Sequence, residues 1–133
     1  MRIVELTGTV AVSEQINPGN VAEIAAAGYK VLVNNRPDGE EPNQPSSAEI
    51  AAAAVAAGLE YHYLPITMAN FPGPEIALMG QLLDDTERPV LAFCRSGTRC
   101  ANLWVASRAE EAREEARQRA RGLGYDLGMS SRV

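Results

Sequence analysis

Three strand-length apolar runs, "YKVLVN" (29–34), "LEYHYLPI" (59–66) and "PVLAF" (89–93), are separated by segments that read as helices of ten or more residues. No other feature constrains the fold as strongly, because strands that alternate with helices form βαβ units. The pattern predicts an α/β fold with a mostly parallel central sheet and helices on both faces, "PVLAF" being the most buried strand. The punctuation agrees. Asn17 and Pro18 open a helix that runs to Gly28. Ser46 and Glu49 form a capping box ahead of an alanine-rich helix ending at Gly58. Glu75 to about Glu87 fits an amphipathic helix, and another begins near Thr98. Before all of these, "RIVELTGTVAVSEQ" alternates around Thr7-Gly8 and predicts an N-terminal hairpin.

A chain of 133 residues fits one domain, 1–133, with a core that needs no disulfide support. No apolar run approaches the roughly 20 residues of a membrane span, and "MRIVEL" has no apolar h-region of a signal peptide. Two cysteines suit a reducing cytoplasm. A net charge of −5 without basic and aromatic interleaving argues against nucleic acid. One His and two Cys at no ligand spacing argue against zinc. The expectation is a cytoplasmic, soluble protein without metal or cofactor and with no membrane partner. "RAEEAREEARQRAR" (108–121) reads as a solvated helix face, with Glu115→Arg119 at the favourable spacing.

The chemistry concentrates at "VLAFCRSGTRCANLW", Val90 to Trp104. An apolar strand ends at Cys94, a polar loop with one glycine carries two arginines, and a helix pattern begins. Free amides at a helix start and a nest of loop amides hold an anion and stabilise a thiolate. Nearby cations and helix N-termini lower a Cys pKa from about 8.5 into roughly the 3.5–7.5 range. Arg99 adds a fork suited to tetrahedral oxyanions, and Gly97 permits positive φ. Ligands of parallel sheets bind beyond the carboxyl ends of the strands. Loops Asn34–Glu41, Thr67–Pro74 and Cys94–Arg99 should meet at that edge, around a small anionic substrate or phosphorylated ligand. Elsewhere the bland readings win: His62 belongs to a strand, Leu103 and Trp104 to the core. Arg95 should point to solvent at the pocket mouth, and Arg36 has Asp38 and Glu40 as alternative partners.

"VSEQINPGNVAEIAAAGYKVLVNNRPDGEEPNQPSSAEIAAAAVAAGLEY", "LPI" and "CRSGTR" together resemble a bacterial family of phosphatase-like domains also found fused to β-lactamase-like hydrolases. The similarity runs from about Glu5 to Ala106, with an echo in "LGYDLG". It implies the fold of the dual-specificity phosphatases. It further implies Cys94 as nucleophile toward phosphomonoesters, aryl phosphate or phosphotyrosine included, through a phosphocysteine. The amides of Arg95, Ser96, Gly97, Thr98 and Arg99 would cradle phosphate, and Arg99 would supply the guanidinium. Asn35, Arg36 and Asp38 would line the same pocket. By that resemblance Cys100 occupies the slot that holds Ser or Thr in phosphatase loops, so its sulfur should face Cys94 and could close a disulfide with it under peroxide; otherwise it is a small apolar residue in the first turn of the helix.

Phosphatase loops read Cys-x5-Arg after a His; this one reads Cys-x4-Arg after Phe93. The shorter ring also resembles that of rhodanese sulfurtransferases, whose cysteine carries a persulfide. "ITMANFPGPE" lacks the aspartate that dual-specificity phosphatases place there to protonate the leaving group. Asp38 is the substitute, or else a turn residue before Gly39. Three readings therefore stand: a phosphatase-like hydrolase, a rhodanese-like sulfurtransferase, and a catalytically weak anion-binding module.

Overall fold

The chain begins, in a computed structural model that describes residues 1–132, with the hairpin: β1 (Ile3–Glu5) pairs antiparallel with β2 (Val10–Ser13). Thr7 makes its turn, the hydroxyl accepting from the amides of Thr9 and Val10. The next segment starts as a 3-10 turn, Pro18–Asn20, and continues as the six-residue α1 (Val21–Ala26). The continuous helix expected from Asn17 is thus shorter and tighter at its start. The Asn17 amide donates to Asn20 Oδ1 at 2.9 Å, and Pro18 supplies the preset φ of a first turn.

β3 (Val31–Asn34) leads through a polar loop to α2 (Ser47–Ala57), whose capping box forms as expected and whose last turn closes on Gly58 at φ +78°. β4 (Glu60–Tyr63) is half the expected run, because Leu64-Pro65-Ile66 leaves the sheet. α3 (Ile76–Asp84), β5 (Val90–Phe93), α4 (Thr98–Ala106) and α5 (Arg113–Gly122) complete the strands and α-helices of the described residues, with 3-10 turns at Glu110–Ala112 and Ser130–Arg132. The expected Glu115–Arg119 pair does not form. Arg119 instead donates to the carbonyls of Leu6 and Glu5 in the hairpin, and Arg117 lies 3.7 Å from Glu114. An exposed carboxylate pair one turn apart is worth little, so the hairpin carbonyls compete for the guanidinium.

The sheet order is β1-β2-β5-β3-β4, with every pair after the hairpin parallel. Registry brings Ser13, Phe93, Asn34 and Tyr63 level at one edge. Side chains alternate strictly. Leu32, Leu91 and Phe93 pack with Ile24 and Ile50 under α1 and α2. Val31, Val33, Val90, Ala92 and Cys94 face the other way, with Met79, Leu103 and Trp104 of α3 and α4. The period of two along β5 therefore aims Cys94 at the α4 side. Because β5 lies between β2 and β3, the chain covers one face before β4 and the other after it. That reversal opens a crevice beyond the end of β5. Among the described residues no helix is long and apolar enough to cross a membrane.

Candidate active site

Cys94 is held in a ring of short contacts that continue the sheet past its last residues. Its amide donates to Ser13 O at 3.4 Å, and the Arg95 carbonyl accepts from Gln15 N at 3.2 Å. Gly97 takes φ +90°, and α4 starts at the next residue. That left-handed turn, easy for glycine alone, points the Gly97 amide back at Cys94 Sγ, 3.1 Å away. Ser96 Oγ donates to Thr98 Oγ1, which stiffens the crest of the loop.

The thiol is acidic. A hydrogen bond from the Cys100 thiol is the largest cause, with the Cys100 and Ser96 amides and the Arg99 charge adding to it. Together they outweigh burial and lower Cys94 to about 5. Burial and the bond to Cys94 push Cys100 the opposite way, well above an ordinary thiol. At neutral pH the pair is therefore a thiolate with a neutral donor beside it. Both side chains are fully buried.

A chain of alternating charges holds the cations around this ring. Arg99 Nη1 and Nη2 grip Glu40 Oε2 and Oε1 at 2.9 and 2.8 Å, and Nη1 also donates to Ile66 O at 3.1 Å. Glu40 accepts in addition from Arg36 Nε at 2.9 Å. Arg36 Nη2 and Arg95 Nε share Glu41 at 2.8 and 3.0 Å. The hydrogen bond from Arg99 is the main reason that Glu40 titrates at about 2, so it is a carboxylate at any ordinary pH. Glu40 uses the end-on fork of Arg99. The side-on fork, Nε with the second Nη2 hydrogen, has no hydrogen-bond partner among the described residues and is available to an oxyanion.

The C-terminal segment closes the ring from the β2 side. Asn102, fully buried on α4, donates to the carbonyls of Thr98 and Asp126 and accepts from Ser130 N. This pins "GYDLG" across the start of the helix, with the Tyr125 ring and hydroxyl 3.4 Å from where a Gly97 Cβ would stand.

Several sequence expectations change place. Ser96, Gly97, Thr98, Arg99 and Cys100 come together around Cys94, and Leu103 and Trp104 are core. Arg95 is 69% exposed, as expected of a residue at the mouth, although Glu41 holds it. Arg36 is only 3% exposed, with all three guanidinium nitrogens bound to Gln15, Glu40 and Glu41; it braces the site and is not offered to substrate. Asp38 Oδ1 accepts from Ser47 N at 2.8 Å, so one of its carboxylate oxygens is engaged at the start of α2. The helix-start amide is a stronger claim on that carboxylate than solvent is. Asn35 is fully buried, donating through Nδ2 to Leu64 O and through its amide to Phe93 O. His62 pairs with Glu60, away from the loop. Glu40, Asn102 and Tyr125 were missed as site residues. Only "GEE", three positions after Arg36, and the "LGYDLG" echo hinted at them. Among the described residues no group of three or more His, Cys, Asp or Glu is placed to hold a metal ion.

A five-stranded, largely parallel sheet with a cysteine loop at the carboxyl end of its central strand is the fold of the dual-specificity and tyrosine phosphatases. Kinase associated phosphatase, solved with its own catalytic-site cysteine replaced by serine, shares that fold at a TM-score of 0.68 and 15% identity, over 96% of this chain and 86% of that one. Residues 2–111 match the beta-lactamase hydrolase-like protein, phosphatase-like domain, and the chain belongs to that family. A candidate phosphatase from Neisseria meningitidis Z2491 is 36% identical with a TM-score of 0.81, over 96% of this chain and 92% of its own. The beta-lactamase hydrolase-like protein of Xylella fastidiosa (strain 9a5c) is 37% identical over 133 residues. That match takes in 98% of this chain and 31% of the relative, so the chain spans about a third of that longer protein.

Proposed function

We propose that this chain is a cysteine-dependent hydrolase of phosphomonoesters in the cytoplasm. The observation that carries the reading is the unpaired side-on fork of Arg99 beside a thiolate lowered to about 5. A tetrahedral dianion needs both: two donors for its oxygens and a nucleophile below it. The Cys94 thiolate attacks phosphorus, the bond to the leaving oxygen breaks, and a phosphocysteine forms. Water then attacks phosphorus, the S–P bond breaks, and the thiolate returns with release of inorganic phosphate. With Asp38 capping α2 and Glu40 ionised, the leaving oxygen takes its proton from water. A positioned acid contributes typically 10²–10⁴-fold, so aryl phosphates, whose phenolate leaves unaided, are the favoured class. The catalytic-site cysteine of kinase associated phosphatase supports the same assignment by analogy of fold.

One observation favours a second reading, a rhodanese-like sulfurtransferase. The ring is tight enough for the Gly97 amide to donate to the sulfur itself, and Cys94 is fully buried. A ring of that size suits a terminal persulfide sulfur. Paired assays separate the two: aryl-phosphate hydrolysis against thiosulfate-to-cyanide transfer, each with wild type and Cys94→Ser. The phosphatase reading expects turnover in the first assay alone, abolished in the variant. Transfer without hydrolysis would replace it with the second reading, and anion binding without either turnover would leave a binding module.

A further inference from the structure

Beside the anion loop lies a chamber of about 460 Å³ that no residue from 94 to 99 lines. Its walls include Leu64, Ile66, Pro72, Met79 and Leu103, so it is largely apolar. Its size falls in the range of sites that enclose small molecules. Of the lining side chains only Glu75 carries a charge, and Glu75 is an exposed residue. Among the described residues one buried polar side-chain atom of this lining is unspent. Asn35 lines the chamber, is fully buried, and uses Nδ2 on Leu64 O; its Oδ1 is buried with no hydrogen-bond partner. A buried acceptor left unsatisfied is unfavourable, and most such groups in folded proteins are paired.

The chamber's polar wall is also the support of the anion loop. The Asn35 amide holds the carbonyl of Phe93, next to Cys94, and the Asn35 carbonyl accepts from Ile66 N at 3.0 Å. Ile66 in turn holds Arg99 through its carbonyl. A molecule that moves Asn35 or Ile66 therefore moves the anchor of the Arg99 fork.

We propose that this chamber is an effector site for a small uncharged amphiphile, an apolar body of roughly two to three rings carrying one N–H or O–H donor for Asn35. Charge is excluded because a buried ion would have no partner among the inner walls. The donor is required by the unsatisfied amide oxygen. Occupancy reaches the anion loop through Ile66, and the coupling is reciprocal.

The test uses N-phenyl-1-naphthylamine, neutral with a single N–H, whose fluorescence rises in apolar surroundings. Titrated into the full chain, it should give a saturable one-to-one signal, and its N-methylated analogue should bind about fivefold or more weaker, the loss of one hydrogen bond. Orthovanadate should leave the probe bound and shift its affinity by the same factor, about fivefold, that the probe shifts vanadate's. Glu75→Trp at the rim and Ile76→Trp inside it should each remove the probe signal while circular dichroism and vanadate binding persist. Absence of a saturable signal, or a signal unchanged in both folded variants, overturns the site. Equal affinity for the two probes overturns the donor assignment, and competition with vanadate or no reciprocal shift overturns the effector role. The probe and variant readouts need neither turnover nor vanadate, whereas the effector role rests on the oxyanion reading of the Arg99 fork, whose own failure would show as no vanadate binding in the absence of probe.

Discussion

Two sulfur atoms divide one proton in this site. Cys100 keeps it because burial penalises its thiolate, and the bond it donates is the main reason that Cys94 loses its own. Alkylation of Cys94 by iodoacetamide should therefore follow an apparent pKa near 5, rising toward the ordinary thiol value near 9 in Cys100→Ala. An unchanged profile in that variant would mean the amides and Arg99 suffice. Stability carries the same signature with a definite sign. Between about 5 and 9 the folded chain holds a thiolate and the unfolded chain a thiol. The Cys94 contribution thus grows with pH across that window and is lost as pH falls through about 5, while above about 9 Cys100 works against it, because the unfolded chain ionises a thiol that the folded chain keeps. The pair also makes a redox prediction. Peroxide converts the Cys94 thiolate to a sulfenic acid with release of hydroxide, and the Cys100 thiol displaces water to close a disulfide. Intact mass should fall by two hydrogens and recover with reductant; sulfinic acid at Cys94 beside a free Cys100 would reject it.

Helix α4 does more than supply amides at its start. Its inward face carries Cys100, Leu103 and Trp104 into the core, while Asn102 ties the C-terminal segment over Gly97. Asn102 makes three hydrogen bonds without exposure to water, and truncation strands a carbonyl and the Ser130 amide. Asn102→Ala should cost about 1–3 kcal/mol, the usual penalty for a buried group left unpaired. Urea unfolding would measure it. A loss well under 1 kcal/mol would mean that other donors and acceptors take over the stranded groups.

Across the whole molecule, three arginines from distant segments are organised by two adjacent glutamates. Glu40 bridges Arg36 and Arg99, and Glu41 bridges Arg36 and Arg95. The bridging makes the Arg99 fork rigid before any anion arrives, and a preorganised fork loses less entropy on binding. Glu40→Gln keeps the shape but weakens both grips. Its sulfate or vanadate affinity should fall roughly tenfold, about the worth of one charge-assisted hydrogen bond. Acid titration supplies the control. Glu40 is lowered from 4.5 to about 2, so its contribution is whole above 4.5 and disappears as pH falls through about 2. The stability gap between wild type and Glu40→Gln should close over that interval; a gap persisting below pH 2 would implicate packing rather than charge.

How much of this was legible beforehand follows from the range of the forces involved. Strand identity, the helices after Ser46 and Gly97, and the Cys94 loop depend on neighbours in sequence: apolar period, caps, a glycine before a helix start. Those local preferences survive in the chain read as a string, as does the parallel order implied by alternating strands and helices. The family resemblance on "NNRPDGE" and "CRSGTR" pointed to Cys94 and Arg99 as the candidate nucleophile and its partner. What the string could not show is which charge meets which. Glu40 reaches Arg99 across 59 positions, and Arg119 reaches Glu5 across 114. Asp38 and Glu40 are equivalent carboxylates in one loop until folding gives the first to the amide of Ser47 and the second to two guanidinium groups. The same holds for Asn35, whose unsatisfied oxygen exists only because strand exits and helices close a chamber around it. Local physics wrote the elements and the Cys94 loop; desolvation and pairing at long range, set only once the sheet edge had formed, decided the electrostatics of the site.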